Sequence, residues 1–230
     1  RLSAPSPAHP FGCDDFGRDL LARVIAGARV SLGVGIAVTL ATSALGLVIG
    51  AYACYNERLD HILMRICDGL MSIPGVLLAI ALMAMMGASV WNVFIALSIV
   101  YTPSMARIVR SRAMVVKEEP FVEALRVQGA STARIVWLHI VPNVLAPFLV
   151  QATFIFAEAV LSEAALSFLG LGIKAPDASW GNILQAGKNV IRKAWWMIFF
   201  PAAAIIASVL SLNLAGDGLR DALDPKTKED

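Results

Sequence analysis

From Gly69 to Ala106 the chain carries no Asp, Glu, Lys or Arg. About a quarter of the residues in a water-soluble domain are charged, so a run of this length marks a different solvent. A second uncharged run, Val30 to Asn56, precedes it. Crossing a hydrocarbon core of about 30 Å takes roughly 20 apolar residues in a helix. The Val30 run therefore suffices for one crossing and the Gly69 run for two. The longer run divides at Gly87-Ala88-Ser89, and its first half is read as beginning near His61, with Arg65 and Asp68 in the opening turns. Ile135 to Ala157 supplies a fourth span and Ala194 to Gly216 a fifth. In lipid, backbone N–H and C=O groups must be satisfied within the segment, which makes each run a helix. The expected fold class is all-α, a polytopic transmembrane helical bundle of about five spans. Composition agrees, with 58% hydrophobic and only 16% charged residues and a mean hydropathy of +0.71. A net charge of +2 leaves no basic surface for nucleic acid.

The charges crowd between these runs. Residues 1–29 hold Pro5, Pro7, Pro10 and the run Asp14-Asp15-Phe16-Gly17-Arg18-Asp19. After them, Leu20, Leu21, Val24 and Ile25 are spaced for a short amphipathic helix at the membrane interface. Residues 107–134 hold Arg107, Arg110, Arg112, Lys117, Arg126 and Arg134. The positive-inside rule places that segment in the cytoplasm. Alternation then puts the 56–61 turn and the tail from Asp217 on the same side, and residue 1 and the 87–90 and 166–194 segments outside. Three parts are expected: an external segment 1–29 with an interfacial helix, a membrane domain 30–216 containing a cytoplasmic loop 112–137, and a tail 217–230. The chain opens on Arg1 with no basic-then-apolar leader, and is read as beginning inside a loop.

The cytoplasmic loop carries the most specific pattern. Glu123-Ala124-Leu125 is followed by Gly129-Ala130-Ser131, then by His139 and Pro142. Val122, Leu125 and Ala133, with Ile135, Val136 and Leu138, give apolar faces on two short helices. Gly129 between them permits a sharp turn. Pro142 falls near the start of the next span, where its missing N–H is tolerated.

This spacing resembles the EAA motif of bacterial ABC importer permeases, with Leu125 in place of the second alanine and His139 in place of the usual aliphatic residue. Four further segments are similar to the dipeptide/oligopeptide/nickel group of that family. They are Phe11-Gly12-Cys13-Asp14-Asp15-Phe16-Gly17-Arg18-Asp19, Gly27-Ala28-Arg29-Val30-Ser31-Leu32, Ala165-Leu166-Ser167-Phe168-Leu169-Gly170-Leu171-Gly172 and Gly216 to Pro225. Cys13 stands where the group commonly has threonine. The resemblance runs from about residue 9 to 226. It implies the type I permease fold, in a bacterial inner membrane. Members usually have six spans, so a span is expected to precede this chain. The resemblance also implies that Glu123, Ala124, Leu125, Gly129, Ala130, Ser131, His139 and Pro142 couple the spans to an ATPase subunit. The implied partners are a homologous permease subunit, two ABC ATPase subunits and a periplasmic substrate-binding protein. The implied cargo is a di- or oligopeptide, with nickel, glutathione or another small solute as alternatives.

The chain has no Gly-x-x-x-x-Gly-Lys-Ser/Thr loop. ATP and Mg are therefore expected on the partner subunits, with no cofactor on this chain and no enzymatic role for it. An ion-coupled secondary transporter would show paired acids and bases at midplane and an internal repeat. A membrane enzyme would show a nucleophile or metal set within its spans. The sequence displays neither pattern, and His9, His61 and His139 lack ligand spacing.

Other residues have two readings each. Glu158 and Glu163, near the external end of the fourth span, either line the translocation path or are paired structurally, with Lys174 as one partner. Asp68 is either a functional acid within the membrane or the partner of Arg65 three residues away, and the pairing is the expectation. Pro74 should kink its helix, either as a hinge for alternating access or, as expected, as a packing feature. Gly33, Gly35, Gly46 and Gly50 permit close helix approach. Trp180, Trp195 and Trp196 suit an external aromatic belt. Cys13, Cys54 and Cys67 read as unpaired small hydrophobes.

Overall fold

A computed structural model describes residues 1–174 and 176–223. Asp224 and Pro225 of the motif and the tail beyond them lie outside the described residues. Among the described residues every regular element is helical. They are α1 (Leu20–Tyr55), α2 (Glu57–Met71), α3 (Gly75–Met86), α4 (Val90–Lys117), α5 (Pro120–Val127), α6 (Thr132–Ile135), a π turn (Val136–Ile140), α7 (Val141–Phe168), α8 (Trp180–Lys188) and α9 (Trp196–Leu223). Helices α1, α4 and α9, and the run Thr132–Phe168, are long and apolar enough to cross a membrane. The pair α2 and α3 makes a fifth crossing if counted together, although it is bent by 89°. The all-α polytopic expectation therefore holds, with element boundaries that differ in four places.

First, residues 20–29 are not a separate interfacial helix. They are the opening turns of one continuous helix, α1. No proline interrupts residues 20–55, and Leu20 and Val24 bury against protein rather than lipid. Second, α4 continues past Ala106 to Lys117, so Arg107, Arg110 and Arg112 are helical. Residues 107–117 contain no Gly or Pro, and Pro120 marks the next element. Third, the expected span from His61 breaks at Ser72-Ile73-Pro74. Proline disfavours the α conformation of the residue before it, so Pro74 ends one helix and the next starts at Gly75. Fourth, the fourth span begins at Thr132 and runs through the π turn to Phe168, which leaves Pro142 inside it.

The chain divides into two compact units. One comprises Arg1–Val38, Val76–Leu97 and Phe156–Asn213. Its core gathers Leu20, Val24, Val160, Trp180, Trp196 and Met197. The N-terminal segment is folded onto this core. Asp14 is 2% exposed; its Oδ1 accepts from the Phe16 and Arg18 amides at 2.9 and 2.8 Å, and its Oδ2 accepts from Arg18 Nε at 2.6 Å. Asp19 caps α1 by accepting from the Ala22 amide at 2.9 Å and meets His9 Nδ1 at 2.7 Å. The Ala22 amide, and then His9, hold the Asp19 carboxyl below the usual carboxylate range. Phe11 stacks on Phe200 with centroids 3.8 Å apart. Trp180 donates to the Val24 carbonyl at 2.9 Å and Trp196 to the Cys13 carbonyl at 3.2 Å. These two indoles are therefore buried core residues with satisfied N–H groups, not belt residues. Only Trp195 of the expected three is exposed.

The other unit comprises Thr39–Gly75, Ser98–Ile155 and the chain from Leu214. Met105, Val109, Val122, Ile135, Val136 and Ile140 meet in its core. A side chain at Gly50 would lie 2.6 Å from the Ala106 carbonyl oxygen, so α1 and α4 approach closely there as the small residue suggested. Arg110 makes a two-point ion pair with Asp60, and Arg107 pairs with Asp68. Asp68 thus finds a cation on another helix rather than Arg65.

Candidate functional site

The segment from Lys117 to Val141 forms a helix–turn–helix within the second unit. Pro120 occupies the first turn of α5, where its absent N–H costs nothing. Glu123 lies in the same turn, favourably placed at the positive end of the helix dipole. Period-3.6 spacing sends Val122 and Leu125 inward. Val122 is fully buried and Leu125 packs on the same core. Glu123 and Ala124 face out, beside two apolar side chains, Phe121 and Val127, the latter 84% exposed. The outer face therefore combines one carboxylate with apolar surface.

The turn after α5 has a specific construction. Gly129 has φ +78. Its amide donates to the Arg126 carbonyl, and the Ala130 amide to the Leu125 carbonyl, both at 3.0 Å. This is the Schellman arrangement, which requires a left-handed residue at the position Gly129 fills. Leu125 and Ala130, the two residues it brings together, both pack on the core. Ser131 then caps the following helix by accepting from the Arg134 amide at 3.4 Å. Ile135 and Val136 bury, and the chain passes through the π turn. His139 is half-buried within that turn, and its carbonyl accepts from Asn143 Nδ2 at 2.7 Å. Pro142, exposed, follows immediately and cannot donate an N–H.

Four contacts tie this segment to the end of α1. Lys117 Nζ donates to the Cys54 carbonyl at 3.0 Å. The Arg126 guanidinium lies 5.3 Å and Lys117 Nζ 5.8 Å from the centre of the Tyr55 ring. Trp137 Nε1 donates to the Tyr52 hydroxyl at 3.3 Å, and the two rings meet edge on. The structure thus gathers Glu123, Ala124, Leu125, Gly129, Ala130 and Ser131 on one short element, with His139 and Pro142 on the helix that continues from it. No local pattern marks Tyr52 or Tyr55, and Lys117 reads only as one of the basic cluster, because their contacts join positions distant in the chain. Phe121 and Val127 carried a readable signal, being apolar at positions off the buried face of α5.

Glu158 and Glu163 share α7 but not an environment. Glu158 is exposed. Glu163 is fully buried, and its Oε1 accepts from Ser167 Oγ at 2.7 Å. Ser167 Oγ also accepts from the Ile173 amide at 3.0 Å. Glu163 therefore meets serine hydroxyls, those of Ser31, Ser167 and Ser179, rather than Lys174, which is exposed. Among the described residues no group of His, Cys, Asp and Glu could hold a metal ion.

Residues 42–229 match the family described as binding-protein-dependent transport system inner membrane component. The dipeptide transport system permease protein DppC of Alkalihalophilus pseudofirmus is 46% identical over 229 residues, covering 99% of this chain and 75% of that protein. The glutathione transport system permease protein GsiD of Escherichia coli is 43% identical over 227 residues, covering 98% and 75%. Among solved structures, a chain of the inward-facing MetNI methionine ABC transporter superposes with a TM-score of 0.74 at 18% identity, covering 89% of this chain and 98% of that one. That likeness concerns the fold. With an all-α polytopic architecture, apolar helices of spanning length and this family match in hand, the chain belongs to the binding-protein-dependent transport system inner membrane components, multi-pass proteins of the bacterial inner membrane.

Proposed function

We propose that this chain is the permease subunit of an ATP-driven importer of di- or oligopeptides, and that residues 120–141 transmit the ATPase cycle to the spans. The observation that carries this reading is the two-sided helix α5. Its inner face is locked into the core by Val122 and Leu125. Its outer face presents Glu123, Phe121 and Val127, all exposed among the described residues. A short helix anchored this way moves as a body with the helix that follows it, as force transmission requires. The named partners are a homologous permease subunit, two ATPase subunits that use ATP and Mg, and a substrate-binding protein. The segment 107–134 faces the cytoplasm, in keeping with its arginines.

Peptide cargo is supported by the 46% identity to the dipeptide permease. A glutathione cargo is the second reading, favoured by the 43% identity to GsiD. Glu158, exposed on α7, is the residue proposed to face the cargo's ammonium group, while the buried Glu163 holds the fold together. The test uses the assembled transporter in membranes. Gly129→Asp and Glu123→Lys should insert normally, lower peptide uptake at least several-fold and reduce ATPase co-purification. Unchanged uptake in both variants would refute the coupling role.

A further inference from the structure

The second unit contains a cavity of about 1020 Å³ walled by α4, α7 and the last turn of α9. Three of its lining residues are arginines, Arg107, Arg112 and Arg220, and none is acidic. Arg107 is already paired with Asp68. Arg112 and Arg220 also line the space, and neither is ion-paired with another of the described residues. Much of the remaining wall is apolar, including Ile108, Val115, Pro147 and Val150.

We propose that this cavity binds the headgroup of an anionic phospholipid, the phosphate meeting Arg112 and Arg220 and the start of an acyl chain meeting the apolar wall. The chemistry favours an amphiphile. A guanidinium fork matches phosphate oxygens, but a free phosphate would leave the apolar wall without a partner. The volume exceeds what a phosphate alone would fill and accommodates a headgroup with its glycerol. Basic pockets between spanning helices on the cytoplasmic side are suited to anionic lipid, and the arginine-rich end of α4 is the end that the charge distribution assigns to that side.

The experiment uses the full chain, purified with its partner subunits in neutral detergent. Retained lipid is read by native mass spectrometry after incubation with phosphatidylglycerol or phosphatidylcholine. Phosphatidylglycerol should be retained and phosphatidylcholine not. Arg112→Gln and Arg220→Gln should each weaken retention about fivefold, whereas Arg58→Gln, outside the cavity, should leave it unchanged. Inorganic phosphate or a dipeptide at millimolar concentration should fail to displace the lipid. Equal retention of both lipids, or no loss in either variant, overturns the proposal. Displacement by phosphate would assign the arginines to a free anion, and displacement by the dipeptide would assign them to cargo; either result contradicts a lipid site. Val115→Trp leaves the arginines intact and reads the location directly. Brominated phosphatidylglycerol should quench its added fluorescence, and absence of quenching also overturns the site.

Discussion

The Arg126 guanidinium lies 5.3 Å from the centre of the Tyr55 ring, joining the helix that carries Glu123 to the last residue of α1. Lys117 approaches the same ring at 5.8 Å and donates to the carbonyl of Cys54. The last turn of α1 thus touches both α5 and the end of α4 that leads into it.

Removing the ring should loosen that element. Tyr55→Ala loses two cation–π contacts and should lower thermal stability by about 1 kcal/mol. Tyr55→Phe keeps the ring and should be close to neutral. Thermal unfolding in detergent distinguishes these outcomes. Uptake should fall in the alanine variant, because α5 would be held less firmly.

Gly129 should tolerate size but not shape. Nothing lies within 4 Å of where its Cβ would be, while its φ is +78. Gly129→Ala should therefore cost roughly 1–2 kcal/mol through backbone strain alone. Gly129→Asn should cost less, since asparagine adopts this conformation more readily. A steric explanation would rank the larger asparagine as the worse substitution, and unfolding measurements on the two variants decide between them.

The Asp68 partnership is open to a double-mutant cycle. The coupling between Asp68 and Arg107, both partly exposed, should be about 0.2–1 kcal/mol. The coupling between Asp68 and Arg65 should be indistinguishable from zero. The reverse result would place the ion pair within α2.

Asp19 should give the N-terminal segment an acid-sensitive contribution. Its folded carboxyl sits below the ordinary value because it accepts the Ala22 amide and then faces His9. A depressed carboxylate stabilises above its unfolded-state value and loses that contribution as pH falls through its folded value. Asp19→Ala should thus cost about 1 kcal/mol at neutral pH. The gap from the unaltered protein should close below about pH 4. Paired unfolding curves at neutral and acid pH read the difference directly.

Much of this architecture is legible in the amino-acid order because lipid imposes long uncharged runs, and these are read without knowing any contact. Boundaries are harder. The charges from Arg107 to Lys117 suggest a loop, yet a helix continues wherever no Gly or Pro stops it, and Asp60 and Asp68 on α2 neutralise two of those arginines. Trp180 and Trp196 suggest an interface, yet carbonyls of Val24 and Cys13 meet their N–H groups inside the fold. Those partners are more than a hundred residues away, so no local pattern announces them. In the candidate site, the capped turn at Gly129 follows from local chemistry and was readable. The Tyr55 and Tyr52 contacts that anchor it depend on tertiary packing and were not.

Docking of α5 on an ATPase subunit is tested most directly by cysteine accessibility and cross-linking. Val127→Cys and Met85→Cys, at two highly exposed positions, are compared in cells and in the assembled transporter, with the native cysteines Cys13, Cys54 and Cys67 replaced. A cysteine at 127 should resist a membrane-impermeant thiol reagent added outside inner-membrane spheroplasts and cross-link to the ATPase subunit in a nucleotide-dependent yield. A cysteine at 85 should label from outside and form no such cross-link. Labelling of position 127 from outside, or its failure to reach the ATPase subunit in any nucleotide state, would contradict the coupling role.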